Sequence, residues 1–170
     1  MIYAVGIVAV ILGVVLDQFT KYLATTHIKD NPITLIEGVF ELRYLENRGA
    51  AFGMLQNQQW FFLIITIITL CIITYIYIRL PREKKFIPLR ICMISLMAGA
   101  IGNMIDRIRL QYVVDFFYFE LIDFPFFNVA DIFATVSTIT LIILFLFYYS
   151  EEDFDLIYRL ILPKRKGKQE

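Results

Sequence analysis

The sequence predicts a mainly α membrane protein: a four-transmembrane-helix bundle with a small β-rich segment between helices 1 and 2. Three observations lead there. The 170 residues are 59% hydrophobic and 19% charged, with mean hydropathy +0.68, more apolar surface than a water-soluble chain of this size buries. Four runs, at about 2–24, 60–78, 88–105 and 129–149, are apolar enough to cross a bilayer. Between the first two runs, apolar and polar residues alternate. Other classes fall away on the same arithmetic. Sixteen basic and sixteen acidic residues leave a net charge of zero, so the footprint that nucleic acid requires is missing. Sixteen Phe and ten Tyr exclude a disordered chain. Cys71 and Cys92 sit inside apolar runs without CxxC spacing and read as packing residues.

The first run resembles a signal peptide in position only. No Lys or Arg precedes it, and it ends in Asp17 and Lys21 rather than in small residues, so it is expected to remain as an anchor. Trp60 at one end of the second run and Tyr75 and Tyr77 at the other read as interfacial belts. The third run is short and spans if Pro88 begins it and the polar stretch from Asn103 ends it. Ten of the sixteen basic residues lie either around the second connection, from Arg79 to Arg90, or in the tail from Arg159 onward. The positive-inside rule therefore makes 79–87 and 150–170 cytoplasmic, with both termini inside, and 25–59 and 106–128 extracytoplasmic, in one polytopic domain over 1–170. In the first outer connection, Ile33 to Ile36 and Val39 to Leu45 flank Glu37-Gly38 and read as a hairpin with Phe40, Leu42 and Tyr44 on one face. The second holds Phe116 to Phe119 and Phe124 to Phe127, either an interfacial belt or a clamp for a lipid-bearing ligand. The tail reads as a solvated extension whose basic end suits anionic lipid.

Ionisable groups near a span are costly and usually face the bundle interior. Asp17 and Lys21 form an i, i+4 pair continuing a face of Gly6, Ala9 and Gly13. Ser95, Gly99, Asn103 and Arg107 follow a four-residue step, with Gly102 and Asp106 beside them. Asn128, Asp131, Thr135 and Thr138 share a face of the fourth helix. These stripes can converge on one pocket, and Asp115, in an apolar setting, is the second acid expected there. The single histidine, His27, precludes a His-rich zinc site, and no serine has a triad context, so no metal or cofactor is called for. Two carboxyls close enough to share a proton form an acid and a base that can activate water against an amide. Spacing alone leaves this open against Asp115 and Asp131 pairing with Arg107 or Lys21 as structural ion pairs. A small transporter or ion-conducting subunit with a carboxylate relay is a further alternative, although the polar residues crowd one end of the spans. A lipid-binding scaffold explains the aromatics but not the two acids.

Five blocks add to this reading: Asp17-Gln18-Phe19-Thr20-Lys21, Asn47-Arg48-Gly49-Ala50-Ala51-Phe52-Gly53, Gly102-Asn103-Met104-Ile105-Asp106-Arg107, Val113-Val114-Asp115-Phe116 and Phe127-Asn128-Val129-Ala130-Asp131. In order and spacing they resemble the lipoprotein signal peptidase (signal peptidase II) family. The resemblance implies an aspartic endopeptidase of the bacterial cytoplasmic membrane. It would cut diacylglyceryl-modified prolipoproteins just before the lipidated cysteine, at the extracytoplasmic face and without a cofactor. It implies Asp115 and Asp131 as the catalytic pair, with Asn47, Asn103, Arg107 and Asn128 lining the site and Asp17, Lys21 and Asp106 supporting it. The hairpin corresponds to the family's β-rich extracytoplasmic cradle. The partners implied are prolipoproteins, membrane lipids and peptide antibiotics that mimic the substrate.

Overall fold

A computed structural model of the chain describes residues 2–49 and 54–161. Four of its helices are long and apolar enough to cross a membrane. They are α1 (Ile2–Leu23), prolonged by a π turn over Ala24–Ile28, then α2 (Gln59–Arg79), α3 (Ile87–Leu110) and α4 (Val129–Phe147). α3 packs against the other three. Its stripe of small residues explains why. A Cβ on Gly99 would lie 2.5 Å from the Ala130 carbonyl oxygen of α4, and one on Gly102 would collide with the Asp17 carboxylate of α1. On α1 the expected face also makes contact, since a Cβ on Gly13 would meet Ala98 at 2.8 Å.

The hairpin forms as β1 (Ile33–Ile36) and β2 (Phe40–Asn47), turning through Gly38 at φ +68°. The sheet has a third strand, however. β3 (Val113–Tyr118), from the connection between α3 and α4, pairs antiparallel with β2. The β region is thus built from both connections at this end of the bundle, not only from the one between helices 1 and 2. A hairpin alone is marginal, and β3 completes it. Val114 and Phe116 turn one face of β3 onto Ala24 and Ile28 below the sheet, while Val113 and Asp115 face the other way.

Several other features differ from the sequence reading. α3 continues to Leu110, where Gln111 caps it with φ 65°, because the carboxylate of Asp106 finds partners inside the bundle instead of ending the helix. Tyr77 is buried rather than a belt residue, since its ring lies under the guanidinium of Arg90 at 4.9 Å. Arg90, grouped by sequence with the solvated cations, is also buried. It donates to the carbonyls of Tyr77 (3.0 Å), Leu80 (2.8 Å) and Pro81 (3.3 Å), closing the C-terminal end of α2. The start of the tail is not a free extension but α5 (Glu151–Ile161). Ser150 begins it, its backbone N–H and hydroxyl both donating to Asp153 Oδ2 (2.8 and 2.9 Å), and Lys85 pairs with the same carboxylate at 2.5 Å. The basic residues Lys164 to Lys168 lie outside the described residues.

Candidate active site

Asp115 enters the site from the middle of β3, where strand alternation aims it away from the apolar face. Only 1% of its surface is exposed. Asp131 comes from the first turn of α4, and the helix start orients it. Asn128 is the N-cap: its side-chain oxygen accepts from Asp131 N (3.1 Å), and Asp131 Oδ2 accepts from Asn128 N (3.0 Å). The Asn128 amide then joins the two acids. Its Nδ2 donates to Asp115 Oδ1 at 2.6 Å, with the Val114 carbonyl at 3.3 Å and Asn103 Oδ1 at 3.1 Å. Asn103 donates to Asp131 Oδ1 (2.8 Å), and Asn47 donates to Asp115 Oδ2 (2.8 Å). Both acids border one cavity of about 350 Å³, together with Asn47, Asn103, Arg107 and the aromatic run Phe124 to Phe127. Burial, with the Asp131 charge adding to it, pushes the Asp115 carboxyl up to about 7.

Behind the cavity lies a second, closed group of charges. Lys21, 3% exposed, spends its three ammonium protons on Asp17 Oδ2 (2.9 Å), Asp106 Oδ2 (2.9 Å) and Asn103 Oδ1 (2.8 Å). Asp17 accepts from Ala130 N (2.9 Å) and so binds the start of α4 to α1. Asp106 accepts from Val114 N (3.1 Å) and so binds β3 to α3. Asn103 relays this frame to Asp131. Among the described residues, neither Asp115 nor Asp131 has a cation within ion-pair distance. Arg107 does not pair with them. It borders the cavity with its guanidinium 4.8 Å from the Phe62 ring centroid, a cation–π contact to α2.

All nine residues singled out from the sequence therefore lie in the cavity or in the frame behind it. Of their stripes, Thr135 reaches the cavity, whereas Thr138 turns back to the Ala134 carbonyl at 2.7 Å. Ala50 to Gly53 of the second block lie outside the described residues. His27 is exposed at the surface, but it lies in the π turn that prolongs α1 rather than in a loop. Two contributors were overlooked. Gln18, adjacent to Asp17 in the first block, donates to Asp106 Oδ1 (2.8 Å) and the Gly102 carbonyl (3.2 Å). Gln59 holds the Arg48 carbonyl (2.8 Å), and nothing in its sequence context marks it. No group of three or more His, Cys, Asp or Glu side chains among the described residues is arranged to hold a metal ion.

A family model described as signal peptidase (SPase) II matches residues 9–147. A protein of Caldanaerobacter subterraneus subsp. tengcongensis named lipoprotein signal peptidase is 46% identical over 144 residues, covering 84% of this chain and 96% of that one. One of the same name from Clostridioides difficile is 42% identical over 146 residues, covering 85% and 97%. A bacterial membrane enzyme solved by the in meso method at 2.3 Å resolution superposes with a TM-score of 0.74 at 34% identity, covering 84% of this chain and 88% of that one.

Proposed function

Since the chain belongs to the signal peptidase II family, whose members remove signal peptides from prolipoproteins, we propose that Asp115 and Asp131 make the cut, as an aspartic dyad acting on one water molecule. The transporter alternative lapses with the family assignment. The observation that carries the proposal is the division of labour among the acids. Asp17 and Asp106 share Lys21, whereas Asp115 and Asp131 meet at a cavity through a common asparagine and, among the described residues, with no cation at ion-pair distance. Structural ion pairs would have looked like the first group.

In this reading the proton is assigned to Asp115, whose carboxyl is pushed up to about 7, and the role of base to Asp131. Asp131 takes a proton from the water as its oxygen attacks the scissile carbonyl carbon. Asp115 gives its proton to the carbonyl oxygen. As the tetrahedral intermediate collapses and the C–N bond breaks, Asp131 gives its proton to the leaving nitrogen and Asp115 takes one back from the hydroxyl, so the dyad is restored and no covalent intermediate forms. Asn103 and Asn128 hold the acids. Arg107, free of carboxylates, is the cavity's donor for a peptide carbonyl.

The substrate is the diacylglyceryl-modified precursor, cut just before the lipidated cysteine. The aromatic run Phe124 to Phe127 forms the wall against the lipid, which sets the depth of the scissile bond. The site faces the extracytoplasmic side of the bacterial cytoplasmic membrane, both termini being cytoplasmic, and peptide antibiotics that mimic the substrate occupy the same cavity. The test is cleavage of a synthetic lipopeptide in detergent without added metal. Wild type should cut it, whereas Asp115→Asn and Asp131→Asn, folded and inserted, should not. Wild-type turnover by either variant refutes the dyad. Equal turnover of an unlipidated peptide refutes the role given to the lipid.

A further inference from the structure

Gln59, the first residue of α2, is 5% exposed, and it is used on one side only. Its Nε2 donates to the Arg48 carbonyl at 2.8 Å, while its Oε1 is buried without a partner among the described residues. A buried amide left half satisfied is unfavourable, so its donor must matter to the fold or to the site. The bond it makes leads to the dyad in two steps. Arg48 O and Gly49 N belong to the same planar peptide unit. On the oxygen side that plane is held by Gln59 Nε2 and by Asn57 N, each at 2.8 Å. On the nitrogen side its N–H donates to Asn47 Oδ1 at 3.0 Å. With the oxygen end of the Asn47 amide thus engaged, only the Nδ2 end is left to face Asp115, to which it donates at 2.8 Å.

We propose that Gln59 is a positioning residue for the catalytic Asp115, acting through the Arg48–Gly49 peptide plane to keep the Asn47 amide turned so that it donates to the carboxylate. The proposal rests on the aspartic-dyad reading above. Gly49 belongs to the same device for a steric reason: a Cβ there would lie 2.5 Å from the Met54 carbonyl oxygen, so the plane fits only without a side chain. If the plane tilts, the Asn47 amide can reverse and present oxygen to oxygen, which favours protonated Asp115. The charged groups around Asp115 are Asp131 on α4, Lys21 on α1 and Arg107 on α3, and the side-chain hydrogen bond of Gln59 goes to the Arg48 carbonyl and to none of them. Its effect is therefore separable from theirs.

The experiment compares cleavage of a synthetic lipopeptide across pH by wild type, Gln59→Met, Gly49→Ala, Asn47→Ala and the Asn47→Ala/Gln59→Met double variant, each checked for folding by thermal melt in detergent. Gln59→Met keeps length and loses the donor. It should lower kcat about tenfold with KM within about twofold, and shift the Asp115 limb of the profile upward by about one pH unit. Gly49→Ala should shift it in the same direction. On the Asn47→Ala background, Gln59→Met should add almost nothing. Unshifted profiles in both single variants, or losses that multiply in the double variant, overturn the proposal. Failure of the dyad itself would show separately, as cleavage surviving Asp115→Asn.

Discussion

Among the described residues two cations are buried, one at each end of the bundle, and they do opposite jobs. At the sheet-bearing end Lys21 lies among two carboxylates and an asparagine, and its partners are the groups that hold α4 and β3. At the other end Arg90 has no carboxylate. It binds three backbone carbonyls and a tyrosine face beside a core of Phe86, Leu89, Cys92 and Tyr149. Arg90 closes a helix end through its two terminal nitrogens, while its Nε is buried without a partner among the described residues. Lys21 absorbs two acids, and beside it two further acids remain unpaired at a cavity. The contrast teaches that burial of a charge does not by itself mark a reactive site. What marks this one is a pair of carboxylates whose side-chain hydrogen-bond partners are neutral asparagines, with no cation at ion-pair distance among the described residues.

Four perturbations probe this contrast, in decreasing order of effect. Asn at 115 or 131 should reduce lipopeptide cleavage about 10³-fold or more, with the melting temperature kept within a few degrees. Lys21→Ala should cost about 3–5 kcal/mol of stability, because two carboxylates lose their shared cation. Denaturation in detergent should show this directly, and a fully stable variant with slowed turnover would move Lys21 into the chemistry. The third point is pH. A carboxyl held up to about 7 in the fold, against about 3.9 in the unfolded chain, binds its proton more tightly when folded. Its contribution to stability is complete below about pH 4 and disappears as pH rises to about 7. Wild type should therefore lose stability relative to Asp115→Asn across that window, by no more than about 4 kcal/mol, and parallel melting curves from pH 4 to 8 would contradict it. Arg90→Leu should cost about 2 kcal/mol and leave kcat within about twofold. A large loss of turnover there would mean that the two ends are coupled.

Much of this was legible in the chain. Each of the four long helices was visible because lipid imposes a local demand, some twenty apolar residues in a row, which a window of sequence reports. The polar stripes were visible because helical spacing assigns residues to faces. β3 was missed although Val113 to Tyr118 is rich in β-branched and aromatic residues, since the buried acid at its centre interrupts the alternation that marks a strand. α5 was missed although Ser150 and Asp153 have capping-box spacing, because its acidic first turn resembles a solvated tail. Gln59 had no sequence signal, for its role depends on one carbonyl eleven residues away.

The spans, the faces that carry polar groups and the five family blocks are written in the chain, because composition and spacing along one stretch of backbone set all of them. Which acids Lys21 neutralises and which it leaves free is settled by packing. That choice turns on contacts between residues more than eighty positions apart, such as Lys21 with Asp106 and Asp17 with Ala130. They are made where α1 lies against the Gly102 backbone, close enough that a methyl group would not fit between them. Periodicity tells which way a side chain points, but an ion pair forms or fails over a fraction of an ångström, and packing sets that distance.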